Sequence, residues 1–323
     1  MSQFNRENVY AYEQWQALDS LRLIGGVSYD RLVIPENFRY APVAAKSVTS
    51  YHLLPKGGLI WTPLRDTTLR AGYSESVGGA SFDQSFQLEP SQVAGFNQAF
   101  RSLIPEAFGG ANAGATFTAY GISLEQKLPT RTYLAVEAEL LKSKVARQDG
   151  AYEFNDLGGP FNSKLAENLD FTEWSLTGSA HQLVGRDWTF GAVYRLSEAR
   201  LLDTFPQISR GVAAANQFTS RSDLRGVLHT LDVQAIYQNP CGFFAQADGL
   251  WTHQDNRGYR PALAGDDFWQ CNVVAGWRFF HRHAEVSVGV LNVTDQNYHL
   301  SPLNLYSETP RERVLFTQLK FQF

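Results

Sequence analysis

The side chains of this 323-residue chain that could do chemistry are seven histidines, two cysteines and a series of carboxylates set in alternating runs. His281 and His283 flank Arg282 with no cysteine or carboxylate at a metal-ligand spacing. The pair fits a solvated turn, and neither a metal site nor a cofactor is expected. Cys241 and Cys271 form no disulfide framework and no metal motif. His229 falls on an apolar lane, where a membrane hydrolase could use a Ser–His pair as nucleophile and base. No serine is specifically placed beside it, so an interfacial histidine is the simpler reading. Gly109-Gly110 and Gly158-Gly159 sit in long loops rather than between a strand and a helix, so they do not make phosphate cradles. Glu137, Glu139, Asp232 and Asp248 alternate with apolar residues, and Arg278 shares that polar lane. Paired carboxylates can cleave glycosides, but a wet, charged barrel wall accounts for all of them. No enzyme is expected.

The elements that would position these residues are strands. Ala284, Val286, Val288 and Val290 share one face against Glu285, Ser287 and Gly289. Trp269, Cys271, Val273, Ala275, Trp277 and Phe279 oppose Gln270, Asn272, Gly276 and Arg278, and five more segments repeat the period of two. The apolar lane carries no charge. It is small in mid-strand and aromatic at the ends, as in Phe243 to Trp251 and Trp188 to Tyr194. The two girdles of a membrane barrel produce that distribution. The composition agrees: 19% charged, 13% aromatic, mean hydropathy −0.27, and no run approaching the roughly 18 apolar residues of a membrane helix. With a net charge of −4 and no Lys/Arg block, nothing in the sequence points to a nucleic-acid partner, and none is expected.

Thirteen strands are expected, near 7–18, 20–33, 53–63, 67–76, 114–127, 131–144, 168–183, 187–200, 226–238, 242–254, 266–280, 283–295 and 309–323. Their links alternate short (63–66, 129–130, 185–187, 239–241, 281–282) and long (34–52, 77–113, 145–167, 201–225, 255–265, 296–308). Short periplasmic turns against long external loops characterise outer-membrane barrels. The longest loop, 77–113, holds an amphipathic stretch, 91–104, with Phe96, Phe100 and Leu103 at helical spacing, after Phe82 and Phe86. Such a loop either packs on itself or offers Phe82, Phe86, Phe96 and Phe100 to a ligand. The chain ends in a strand with Leu315, Leu319, Phe321 and Phe323 on one face. Phe321 and Phe323 match the aromatic assembly signal of outer-membrane barrels, and an ordinary terminal strand is the alternative.

Gly289 to Tyr298 (GVLNVTDQNY), Tyr306 to Arg313 (YSETPRER) and the terminal strand resemble the end of TonB-dependent receptors. Thr68 to Phe82 (TLRAGYSESVGGASF), Leu88-Glu89-Pro90 and Lys56 to Pro63 (KGGLIWTP) resemble earlier strands of that family. The resemblance implies an outer-membrane transporter that imports a scarce solute. Its barrel would have 22 strands, an N-terminal plug, external loops that bind the solute, and TonB as the partner that moves the plug. Residues 1–323 would then be one all-β domain, the C-terminal part of the barrel. The plug and the first barrel strands would lie elsewhere, because 1–15 has neither plug nor signal-peptide character. Lipid and the barrel-assembly machinery are the remaining expected partners. A passive porin is the second reading, and an outer-membrane hydrolase the third. An odd strand count further predicts an open seam between 7–18 and 309–323.

Overall fold

The computed structural model describes residues 4–78, 89–98, 114–155, 159–209, 211, 218–279 and 283–321. One antiparallel sheet holds thirteen strands in chain order. They are β1 (Asn5–Leu18), β2 (Leu21–Pro35), β3 (Ser47–Leu64), β4 (Thr67–Val77), β7 (Thr116–Lys127), β8 (Thr132–Asn155), β9 (Gly159–Val184), β10 (Trp188–Thr204), β11 (Arg221–Gln238), β12 (Phe243–Arg257), β13 (Asp266–Phe279), β14 (Ala284–Leu291) and β15 (Val314–Phe321). Between β4 and β7, β5 (Gln92–Val93) and β6 (Phe96–Asn97) pair only with each other. The expected strand number is present, and short and long links alternate except between β8 and β9, where β8 ends at Asn155 and β9 begins at Gly159.

The sheet curls. The Arg6 guanidinium on β1 donates to the Val77 carbonyl of β4 across 3.3 Å. Three inter-strand steps in a flat sheet would separate those strands by about 14 Å, so the wall must bend to bring them together. β1 and β15 are its two edges, and no ladder joins them among the described residues.

Two expectations need correction. The segment 145–167 is not a loop: the β8–β9 ladder runs unbroken from Thr132↔Gln182 to Asn155↔Gly159. Backbone pairing needs no apolar alternation, so a hairpin that outruns the membrane loses the period-2 signal while keeping its hydrogen bonds. Nor do 92–97 form a helical turn. Ala94 and Gly95 both take positive φ (52° and 100°), which closes a tight hairpin and breaks any helix. Phe100, Leu103, Gly109, Gly110 and His281 lie outside the described residues. The last two strands are also shorter than their patterns suggested, because 292–313 folds back over the wall.

Candidate functional site

The two faces of the wall differ in chemistry. On β14, Val288 is 53% exposed while its neighbour Ser287 is 4% exposed. The outward lane continues through Val273, Val233, Phe190, Leu176, Val136, Ile122 and Leu53, all exposed. Near the short turns, Trp188, Tyr237, Phe243 and Trp277 make a chain of rings across four strands, with centroids 4.8, 6.1 and 5.9 Å apart. About 20 Å along β10, Tyr194, His229 and Trp251 make a second chain, with centroids 6.2 and 6.4 Å apart. These are two aromatic girdles around an apolar band. His229 belongs to the second: its Nδ1 meets the Tyr194 hydroxyl at 2.7 Å, and its ring stands 5.9 Å from that of His253.

The edge of the band climbs from strand to strand. Trp269, Trp251, Leu231, Tyr194, Gly178 and Val136 form one register row across β13 to β8. On β13 the apolar lane ends in that row, with Asp267 next. On β8 it runs on to Leu140, with Lys142 next. Four residues of climb over five inter-strand steps give a strand tilt of roughly 30°, close to that of membrane barrels. The tilt follows from the sequence pattern and the register together.

The inward face is polar. Register places Glu137, Glu139, Asp232, Asp248 and Arg278 there. Arg278 pairs with Glu285 at 2.8 Å and lies over the Phe244 ring. Gln246 donates to Asp248 at 2.9 Å. Glu173, which the sequence pattern did not single out, faces Arg195 at 3.8 Å. Cys241 and Cys271 are free thiols.

Three long connections fold onto this inward face. The first seats the β5–β6 hairpin in a groove made by Gly58, Gly72 and Gly121, which are directly opposite one another on β3, β4 and β7. A Cβ on Gly72 would stand 2.7 Å from the Phe96 ring, one on Gly58 would stand 2.8 Å from Ala94, and one on Gly121 would overlap Phe96. Phe96 is therefore held by the wall, 8% exposed. Phe82, Phe86, Phe100 and Phe323 lie outside the described residues. Beside the hairpin, Glu89 is buried with Lys56 at 2.7 Å and accepts from the Tyr12 hydroxyl at 2.5 Å. Lys56 also donates to Ser28 Oγ at 2.9 Å. Gly121→Val should expel Phe96 and cost about 1–3 kcal/mol by overpacking. Protease cleavage at 89–98 would rise severalfold, and unchanged cleavage would remove the seat.

The second connection lays Leu303 into a cluster with Leu169, Phe171, Ala199 and Leu201. Asn304 donates to Gly226 and Ser197 carbonyls at 3.1 and 3.3 Å. Asn side chains here satisfy wall groups that a bare loop would leave unpaired. The third, 36–46, crosses to the extension of β8 and β9, where Glu36 meets Lys164 at 2.6 Å. Under it lies a cavity of about 330 Å³ lined by Phe38, Arg39, Val145, Arg147, Gln148 and Asp149, among others. Arg39 Nη1 and Gln148 Oε1 are buried without hydrogen-bond partners, and Asp149 Oδ1 stands 3.8 Å from Arg147 Nε. No single motif marks this site, because its residues come from segments more than a hundred positions apart.

Near the cavity, beyond the apolar band, Asp149 and Asp203 stand with Glu167 and Arg147. Burial raises both carboxyls most, and Glu167 adds to it. A raised folded-state value means that the stabilisation is full below about pH 4. It is lost as the pH climbs through about 6 and about 7. Amides 145–151 should therefore exchange more slowly at pH 5 than at pH 8 after correction for intrinsic rates. Equal protection at both would remove the coupling.

The fold has known counterparts. The chain is similar to a ferric enterobactin receptor mutant from Pseudomonas aeruginosa, solved with enterobactin: TM-score 0.53, 12% identity, covering 91% of this chain and 43% of that one. It is similar also to the copper transporter OprC: TM-score 0.55, 14% identity, covering 99% of this chain and 48% of that one. No protein-family model and no curated protein matches the chain. At these identities the likeness establishes the fold alone, an all-β antiparallel barrel wall. The chain spans less than half the length of either structure.

Proposed function

We propose that this chain is part of the barrel wall of a TonB-dependent outer-membrane receptor that imports a scarce solute. One observation carries the reading: an apolar band with two aromatic girdles faces outward, while long connections from one end fold back onto a polar inward face. The motif resemblance supports it, as does the likeness in fold to a receptor and a transporter. In this reading the plug and TonB are partners, lipid surrounds the band, and the barrel-assembly machinery reads the terminal strand through Leu319, Phe321 and Phe323. The solute engages the mouth cavity and the 77–113 loop with Phe82, Phe86 and Phe100. Glu137, Glu139, Asp232, Asp248 and Arg278 make its lumen wetted and charged.

The test is depletion of solutes from a minimal medium by cells with and without the protein, in TonB-positive and TonB-negative backgrounds. A solute whose depletion needs both supports the reading. Depletion independent of TonB, with ohmic conductance in planar bilayers, would favour the passive porin. For a solute that is found, Arg39→Ala should weaken uptake affinity about tenfold or more, the worth of a charged hydrogen bond.

A further inference from the structure

Two histidines meet on the outward face at the second girdle. His229 on β11 is directly opposite His253 on β12, and their ring centroids are 5.9 Å apart. Each ring is held by a neighbour on one nitrogen. His229 Nδ1 meets the Tyr194 hydroxyl at 2.7 Å, which leaves Nε2 as its other nitrogen. His253 Nδ1 meets Asp267 Oδ2 at 3.3 Å, and the Trp251 indole N–H donates to the other oxygen of Asp267 at 2.9 Å. The Trp251 ring is stacked on the His253 ring, with centroids 6.1 Å apart. On its other side His253 Nε2 stands 3.5 Å from Asp255 Oδ2. Asp255 and Asp267 are both exposed. Among the described residues neither is in an ion pair with a lysine or arginine, so two carboxylates share one imidazole.

These spacings are close to those around one metal ion. Two donors about 2.1 Å from a tetrahedral zinc lie about 3.4 Å apart, against 3.5 Å between His253 Nε2 and Asp255 Oδ2. Two imidazoles on such an ion have centroids roughly 5.3 Å apart, so the His229 ring has about half an ångström to close. Among the described residues no three such groups already converge on a point, in keeping with a site that closes on its ion. We propose that His229, His253 and Asp255 bind a divalent transition cation of the zinc type, with water in the remaining position. Imidazole ligands favour such an ion over Mg²⁺ or Ca²⁺, which take oxygen. Tyr194 and Asp267 accept from the two Nδ1–H groups and so fix both tautomers with Nε2 toward the metal. The charge of the ion is balanced by Asp255 and Asp267, which no basic side chain neutralises. The two histidines lie far apart in sequence, and only the β11–β12 register brings them together. The bound ion ties those two strands to each other.

The protein, purified in a neutral detergent and stripped with EDTA, is titrated with Zn²⁺ and separately with Mg²⁺ by isothermal calorimetry. Thermal unfolding is followed with and without each ion. Every sample carries Cys241→Ser, so that the exposed thiol takes no zinc. Zn²⁺ should bind and raise the unfolding midpoint, and Mg²⁺ should do neither. Asp267→Asn should weaken zinc binding about tenfold by releasing the His253 tautomer. His229→Gln and His253→Gln should each weaken it by more than that. All three positions face outward and lie away from the packed inward face, and heat-modifiable migration checks that each variant folds. No zinc binding by the parent protein at about 100 μM, or binding unchanged in His229→Gln/His253→Gln, overturns the site. Loss in His253→Gln with none in His229→Gln overturns the bridge between the strands. Neither result depends on the transport reading, because the ion is titrated onto the purified protein.

Discussion

Lys56→Met should lower unfolding stability by about 3–5 kcal/mol, the cost of leaving a buried charge without its partner. Lys56 and Glu89 side chains are 0% and 2% exposed and 2.7 Å apart. Removing the ammonium leaves the Glu89 carboxylate facing Tyr12 and the wall with no cation. Met matches the Lys stem in volume, so the loss comes from charge rather than from a cavity. The double variant Lys56→Met/Glu89→Leu should recover most of the loss, since apolar replacements of a buried pair are often neutral. Denaturant titration of the protein in detergent measures all three. A loss near zero for Lys56→Met would mean that Glu89 swings out to water and that 89–98 is not held on the wall.

That pair shows what could be read from sequence and what could not. The strands were legible because lipid on one face and water on the other impose a period of two, and Val286, Val288 and Val290 against Glu285 and Ser287 display it plainly. Strand number and link parity follow from the same constraint. Lys56 and Glu89 gave no such signal. Each is one polar residue in a lane or loop of many, and their meeting depends on a connection folding inward over the glycine row. Gly58, Gly72 and Gly121 are scattered in sequence and become a groove only through register. The mouth cavity is legible for the same reason only in three dimensions: Arg39 and Asp149 meet because 36–46 crosses the wall. The β8–β9 extension shows no period of two because it stands beyond the apolar band, where lipid no longer imposes one.

Charge insertion tests the outward face itself. Val288→Arg should cost about 2–4 kcal/mol if the site lies near the bilayer midplane, because a guanidinium there must leave water or thin the membrane to keep it. The neighbouring residues favour a deep position: Val288 is opposite Ala275 and Thr317 in the middle of the β13–β14–β15 ladder, with Trp277 and Trp269 toward the two ends of the β13 lane. Gln246→Arg is the better inward control than a change at Ser287. Gln246 is half-buried beside Asp248, which would accept from the new guanidinium, whereas Ser287 is packed at 4% exposure and would add a steric cost. The expected result is a large loss for Val288→Arg and a loss within about 1 kcal/mol for Gln246→Arg, measured by unfolding from lipid vesicles. The same two variants in detergent sharpen the test. A micelle lets an arginine reach water more easily than a bilayer does, so the Val288→Arg penalty should shrink there while the Gln246→Arg effect stays constant. Equal penalties on the two faces in vesicles would show that the Val288 lane does not meet lipid.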